Sequence, residues 1–108
     1  MPPTAPTPPT GEVTASAYIL PEAPTLGPLA FGDEALVIYK GERLRWVNLD
    51  TVTHALVADT SGVPDFRKTD ALAPHGGEQS FIMMTTGTTT FHCAIHPGMV
   101  GTLVVRDR

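Results

Sequence analysis

The hydrophobic pattern of this chain repeats every two residues, the period of a strand rather than of a helix. Arg43–Asn48 (RLRWVN) shows it most cleanly: Leu44, Trp46 and Asn48 fall on one face, Arg43 and Arg45 on the other. Comparable short runs occupy Glu12–Leu20, Ala35–Lys40, His54–Asp59, Gly77–Met84, Thr88–Cys93 and Thr102–Arg106. No stretch sustains a helical period over three turns. Glycine and proline punctuate the gaps. Pro21, Pro24, Gly27 and Pro28 make 21–33 a long irregular connection, and Gly41-Glu42 reads as a tight turn. Gly62, Pro64, Pro74 and Gly76 mark loops, with a weak turn of helix expected near 65–70. Seven short strands divided by turn signals predict an all-β, antiparallel sandwich.

The 108 residues suffice for one packed core, expected over 12–108. Residues 1–11 (MPPTAPTPPTG) cannot join it, being almost wholly Pro, Thr and Ala. They read as a disordered, extended linker. It is either a tether to a membrane anchor, lipid anchor or neighbouring domain, or a terminus without a role. Met1 followed at once by prolines reads as the start of a processed or truncated form. No apolar run approaches the roughly 20 residues of a membrane span, and no signal peptide is visible.

Charge and cysteine content exclude more than they assign. Lys and Arg total 7 against 11 Asp and Glu, a net charge of −4 with neutral His. That balance argues against nucleic acid as a partner, for which a basic patch is expected. The single cysteine permits no internal disulfide. It also excludes any site that needs two thiolates from one chain, such as a binuclear copper centre or an all-thiolate zinc site.

That cysteine stands in the stretch Phe91-His92-Cys93-Ala94-Ile95-His96-Pro97-Gly98-Met99. Cys93, His96 and Met99 have the spacing C-x-x-H-x-x-M. A thiolate, an imidazole and a thioether within seven residues suit a soft, redox-active copper ion. A trigonal site needs one more imidazole, from His54, His75 or His92. His92 adjoins Cys93 in a strand, so the two side chains point to opposite faces. His75 lies in a Pro-His-Gly-Gly loop, a usual place for a solvated histidine. His54 opens an apolar strand after the polar turn Asp50–Thr53, and it is the expected fourth ligand. The resulting set is His54, Cys93 and His96 with a weak axial Met99, which is the set of a blue-copper electron-transfer site. Three ligands come from one loop and the fourth from a distant strand, so the site requires a closed sandwich. Met83 and Met84 read as strand residues with one in the core, the alternative being a methionine-rich copper uptake surface.

The chain resembles the cupredoxins, most closely the amicyanin and plastocyanin group of small bacterial type 1 copper proteins. The resemblance covers about residues 35–106. It is carried by Val37-x-x-x-Gly41-Glu42-x-Leu44-x-Trp46-Val47-Asn48, by His54, by residues 91–99 and by Gly101-Thr102-Leu103-Val104-Val105. The short loop with Pro97 directly after the histidine is similar to the amicyanin version. Ala55 and Ile95 depart from residues common in relatives. The resemblance implies an eight-strand Greek-key sandwich and one copper per chain, held by His54, Cys93, His96 and Met99. It implies that Asn48 ties the first-ligand loop to the ligand loop by hydrogen bonds near the thiolate. It further implies an electron carrier rather than an enzyme, cycling Cu(II)/Cu(I) and acting as a monomer outside the bacterial cytoplasm, in the periplasm. Redox partner proteins are expected to dock transiently over the edge of His96, beside Pro97, with His92 a second exit for the electron. Two other readings of the same fold are a copper-binding chaperone or sensor, and the copper domain of a larger copper enzyme.

Overall fold

A computed structural model describes residues 14–27, 30–31 and 35–107. The 1–11 linker lies outside the described residues, as does the start of the first expected strand. Seven strands are present among the described residues: β1 (Thr14–Ile19), β2 (Leu36–Tyr39), β3 (Arg43–Asn48), β4 (Leu56–Ala58), β5 (Glu78–Ile82), β6 (Gly87–Cys93) and β7 (Val100–Arg106). β3 has the bounds its alternation predicts. Its inward set, Leu44, Trp46 and Asn48, is buried, while Arg43 and Arg45 are half-exposed.

The strands form two sheets, of order β1-β3-β5 and β2-β7-β6-β4. Every connection between consecutive strands crosses from one sheet to the other except the β6–β7 hairpin. The sandwich is therefore as expected, with two corrections. It is mixed rather than antiparallel, because β1 runs parallel to β3 and β2 parallel to β7. Neither pair is joined by a hairpin, so nothing forces the antiparallel sense.

The second correction is the strand count among the described residues, seven rather than the eight that the resemblance implies. Residues 67–72 run beside β4 but pair with it only through isolated bridges, Val57↔Lys68 and His54↔Leu72. Ala58 N donates to Arg67 O at 2.8 Å and Thr69 N to Leu56 O at 2.8 Å, in one register. At His54↔Leu72 the register has slipped by one residue. An extra residue on one side is a bulge, and it breaks the ladder beside His54. Near 65 the chain makes only a turn, with Phe66 N donating to Val63 O at 3.1 Å, and from Arg67 it pairs with β4 and does not continue as a helix. The helical turn is instead α1 (Ala23–Leu26), inside the connection expected to be irregular. Pro24 lies in its first turn, where a preset φ costs nothing and the missing N–H is not needed.

Between the sheets, Trp46, Phe66 and Phe91 are buried and their rings meet at centroid distances of 5.0–6.2 Å. Phe31 closes on Phe91 edge-on at 4.9 Å. Such aromatic pairs contribute about 0.5–1.5 kcal/mol each beyond the area they bury. Gly101 makes room for this cluster, since a methyl group there would sit 2.5 Å from Phe91 Cζ. Phe91 and Cys93 share the inner face of β6, so the aromatic core also orients the thiol. Met83 is buried and Met84 exposed, but both lie just beyond β5, which ends at Ile82, and not within a strand as expected.

Candidate metal centre

At one end of the sandwich β6 stops at Cys93, and the chain returns as β7 after six residues. This hairpin loop is held by its own backbone. Cys93 N donates to Met99 O at 3.0 Å and Met99 N to His96 O at 2.9 Å. A third bond, Ala94 N to Ala55 O at 2.7 Å, ties the loop to the segment carrying His54. Leu56 pairs with Cys93 across β4 and β6, which brings His54 alongside.

The ligand atoms of His54, Cys93 and His96 all lie within 4.8 Å of one another. Cys93 Sγ is 3.5 Å from His54 Nδ1 and 3.8 Å from His96 Nδ1. The two rings stand 5.1 Å apart between centroids. Divalent-metal bonds of about 2.0 Å to nitrogen and 2.3 Å to sulfur, at angles of about 110–120°, separate S and N donors by about 3.5–3.7 Å. The observed spacing fits one ion shared by the three side chains. His54, Cys93 and Met99 are buried and His96 is half-buried. Met99 is folded under the loop by its two backbone bonds. The donor set is one thiolate, two imidazoles and a nearby thioether, chemistry that favours copper over magnesium or calcium.

Asp50 is the functional residue that sequence reasoning missed; in the sequence it is only the first residue of the polar turn Asp50–Thr53. It is buried, and its Oδ2 lies 2.7 Å from His54 Nε2. A carboxylate only accepts, so Nε2 carries a proton, which leaves Nδ1, on the Cys93 side, as the nitrogen available to a metal. Burial alone would raise the Asp50 pKa. Hydrogen bonds from the His54 ring and from the amides of Thr51 and Glu22 outweigh it, and the carboxyl is lowered to about 2. The D-x-x-x-H spacing was the available signal, because metal-bound histidines usually donate their second N–H to a carboxylate or carbonyl.

Asn48 is buried beside the site, but its bonds differ from those the resemblance implied. Its Nδ2 donates to Val52 O and to Leu72 O, each at 2.9 Å, and its Oδ1 accepts from Asp50 N at 2.9 Å. It shapes the 49–53 loop and joins it to residue 72; the tie to the cysteine loop is the Ala94–Ala55 backbone bond. His92 lies on the outer face, away from the ligands. Its Nδ1 is 2.6 Å from Asp59 Oδ1. Asp59 also accepts from Thr90 Oγ1, a bond that, with burial opposing and His92 assisting, lowers its pKa. The His75 ring is exposed, and it is the His75 amide that meets the site, donating to Asp50 O at 3.0 Å. Leu49, Val52 and Ile95 are large exposed apolar residues on the two loops that carry His54 and His96.

A sequence profile of copper-binding proteins of the plastocyanin/azurin family matches residues 22–106. Among solved structures, the chain is similar to a purple cupredoxin from Nitrosopumilus maritimus, with a TM-score of 0.70 and 22% identity over 84% of this chain and 98% of that one. It is also similar to a methionine-to-glutamine variant of amicyanin in its Cu(I) state, with a TM-score of 0.67 and 17% identity over 89% and 85% of the two chains. The oxidised form of a proline-to-alanine variant of amicyanin gives 0.65 and 20% over 88% and 84%. No curated protein sequence matches the chain. At these identities the structural matches establish the fold.

Proposed function

Because the chain belongs to the plastocyanin/azurin family of copper-binding proteins, we propose that it carries single electrons between redox proteins through a copper held by His54, Cys93, His96 and Met99. The observation that supports this most directly is the convergence of three donors within 4.8 Å, from two segments far apart in sequence. The metal, when bound, supplies a one-electron Cu(II)/Cu(I) couple. The residues do the rest. Asp50 fixes the proton of His54 on Nε2. The short backbone-bonded loop limits how far Cys93, His96 and Met99 can separate, and the aromatic core beneath Phe91 keeps water from the thiolate side.

His96 is the half-exposed ligand, flanked by exposed Ile95 and Pro97, with Leu49 and Val52 on the neighbouring loop. In this reading, partner proteins dock over this apolar edge in a small, weak and transient contact. His92, on the outer face next to Cys93, is the second exit. No helix among the described residues is long and apolar enough to cross a membrane. In this reading the protein works outside the cytoplasm, in the periplasm.

The test is the spectrum after adding Cu(II) to the metal-free protein. An intense thiolate-to-Cu(II) band in the visible, a matching paramagnetic resonance signal and a reversible couple are expected, at one copper per chain. Cys93→Ser abolishes the band. A colourless protein that holds only Cu(I) would assign it a chaperone role instead.

A further inference from the structure

The connection between β1 and β2 lies against both halves of the metal centre. Leu49 N donates to Ile19 O at 2.9 Å, so β1 delivers the chain to the first-ligand loop. Pro21 and Glu22 then turn. Glu22 sits in the left-handed region, with φ 63° and ψ 27°, which L-residues other than glycine and a few polar types seldom adopt. That turn aims the Glu22 N–H at Asp50 Oδ1, 2.9 Å away. The helical turn follows, closed by Ala23 N to Leu20 O at 3.1 Å and Thr25 N to Glu22 O at 3.0 Å. Ala23 is buried. At Gly27 the chain reaches the other half: a Cβ there would stand 3.6 Å from Gly98 O in the cysteine loop.

Asp50 is the hinge of this arrangement, because its two oxygens serve different segments. Oδ1 accepts from the amides of Glu22 and Thr51 at 2.9 and 2.7 Å. Oδ2 faces His54 Nε2 at 2.7 Å. A carboxylate held on one oxygen by two backbone amides cannot rotate freely, so its second oxygen is fixed in place. A partner fixed in this way selects one imidazole tautomer and one ring orientation.

We propose that residues 20–27 form a strap that belongs to the metal centre, in which the Glu22 amide orients Asp50 and Asp50 holds His54 as its Nε2–H tautomer with Nδ1 free to bind metal. Asp50 is a positioning residue and touches no metal itself. Glu22 acts through its backbone, so its side chain, which faces solvent, is dispensable. The consequence for metal affinity rests on reading His54 as a copper ligand. The consequence for the tautomer does not.

The experiment uses the full chain, without metal and then with Cu(II). In the metal-free protein, nitrogen-15 chemical shifts of the His54 ring are expected to report the Nε2–H tautomer, and the Glu22 amide is expected to resist hydrogen exchange although its side chain is exposed. Asp50→Asn keeps an oxygen for Glu22 and Thr51 but turns an NH2 towards Nε2–H. It should retain protection at Glu22, shift His54 towards the Nδ1–H form and weaken Cu(II) binding 10–100-fold, about the usual loss for an outer-shell partner. Glu22→Gly, which keeps the N–H and suits the left-handed turn, should match the wild type in every readout. An amide-to-ester replacement at residue 22, which removes the N–H and leaves φ free, should move the tautomer in the direction of Asp50→Asn, with thermal melting confirming the fold. A wild-type His54 in the Nδ1–H form, an unprotected Glu22 amide, or an Asp50→Asn protein with wild-type tautomer and affinity would each overturn the proposal. A wild type that shows the expected tautomer and protection but takes up no Cu(II) would refute the copper assignment and leave the strap standing.

Discussion

The two histidines of the centre sit in opposite kinds of surroundings. His54 is fully buried, bridged through its backbone to Leu72 and pinned at Nε2 by Asp50. Asn48, Thr51 and Glu22 hold Asp50 in turn. His96 is half-exposed, on a six-residue loop between β6 and β7, with exposed Ile95 and Pro97 at its sides. Cys93 belongs to both halves. The contrast teaches a division of labour. A site that must keep one geometry through two metal charges needs at least one ligand that cannot relax. A site that must pass electrons needs at least one ligand a partner can approach.

The buried half should yield the largest effects. Phe91→Ala removes the ring under Cys93 and should cost about 3–5 kcal/mol, the range for a buried aromatic. Chemical denaturation of the metal-free protein measures it, and a loss below 1 kcal/mol would show that the aromatic cluster does not carry this face. Next comes the acid dependence of Asp50 in the metal-free protein. Its folded pKa of about 2 lies below the ordinary 3.8. A lowered carboxyl stabilises the fold above its unfolded pKa, and that contribution fades as the pH falls from 3.8 towards 2. The size expected is about 2 kcal/mol. Between pH 6 and pH 2 the wild type should lose more stability than Asp50→Asn by about this amount, since Asp59 titrates in both.

The exposed half should respond in rate and hardly in stability. Ile95→Lys places a charge beside His96 on an exposed loop position, so stability should change by less than about 0.5 kcal/mol. Electron exchange with an apolar-docking partner should slow at least tenfold while the copper spectrum stays the same. An unchanged rate would move the docking face elsewhere. The smallest effect is expected from His92→Ala. Its pair with Asp59 is about one third exposed, so the loss should stay below about 1 kcal/mol, with the spectrum intact. A slower reaction with a partner protein, at an unchanged self-exchange rate, would assign His92 the second exit.

Much of this was legible in the sequence because it is written in local periods. Alternation separated the faces of β3 except at Val47, which shares the side of Arg43 and Arg45 yet is buried, and on β6 it separated inward Phe91 and Cys93 from outward His92. The C-x-x-H-x-x-M spacing put three donors on one loop, and the position of His54 after a polar turn identified the partner the structure brings to within 3.5 Å of the thiol. Strand sense was not legible. The parallel β1–β3 and β2–β7 pairs join segments with no hairpin between them, and no local pattern records which neighbour a strand finds. The interrupted 67–72 segment escaped for a related reason, since a bulge is a property of two strands and not of one.

The sequence by itself therefore determined which residues can serve as ligands, which faces of their strands they occupy and that the scaffold is a β-sandwich. Side-chain alternation and donor chemistry depend only on near neighbours along the chain. The tertiary structure alone decided how those ligands are held. Asp50 meets the amide of Glu22 across 28 residues, His54 meets Cys93 across 39, and the Ala94–Ala55 bond joins two backbone groups that any residue could supply. Hydrogen bonds of that kind leave little mark in residue type, because a backbone amide donates alike whichever side chain it carries. They arise only when the core closes and brings the two loops to the same end of the sandwich.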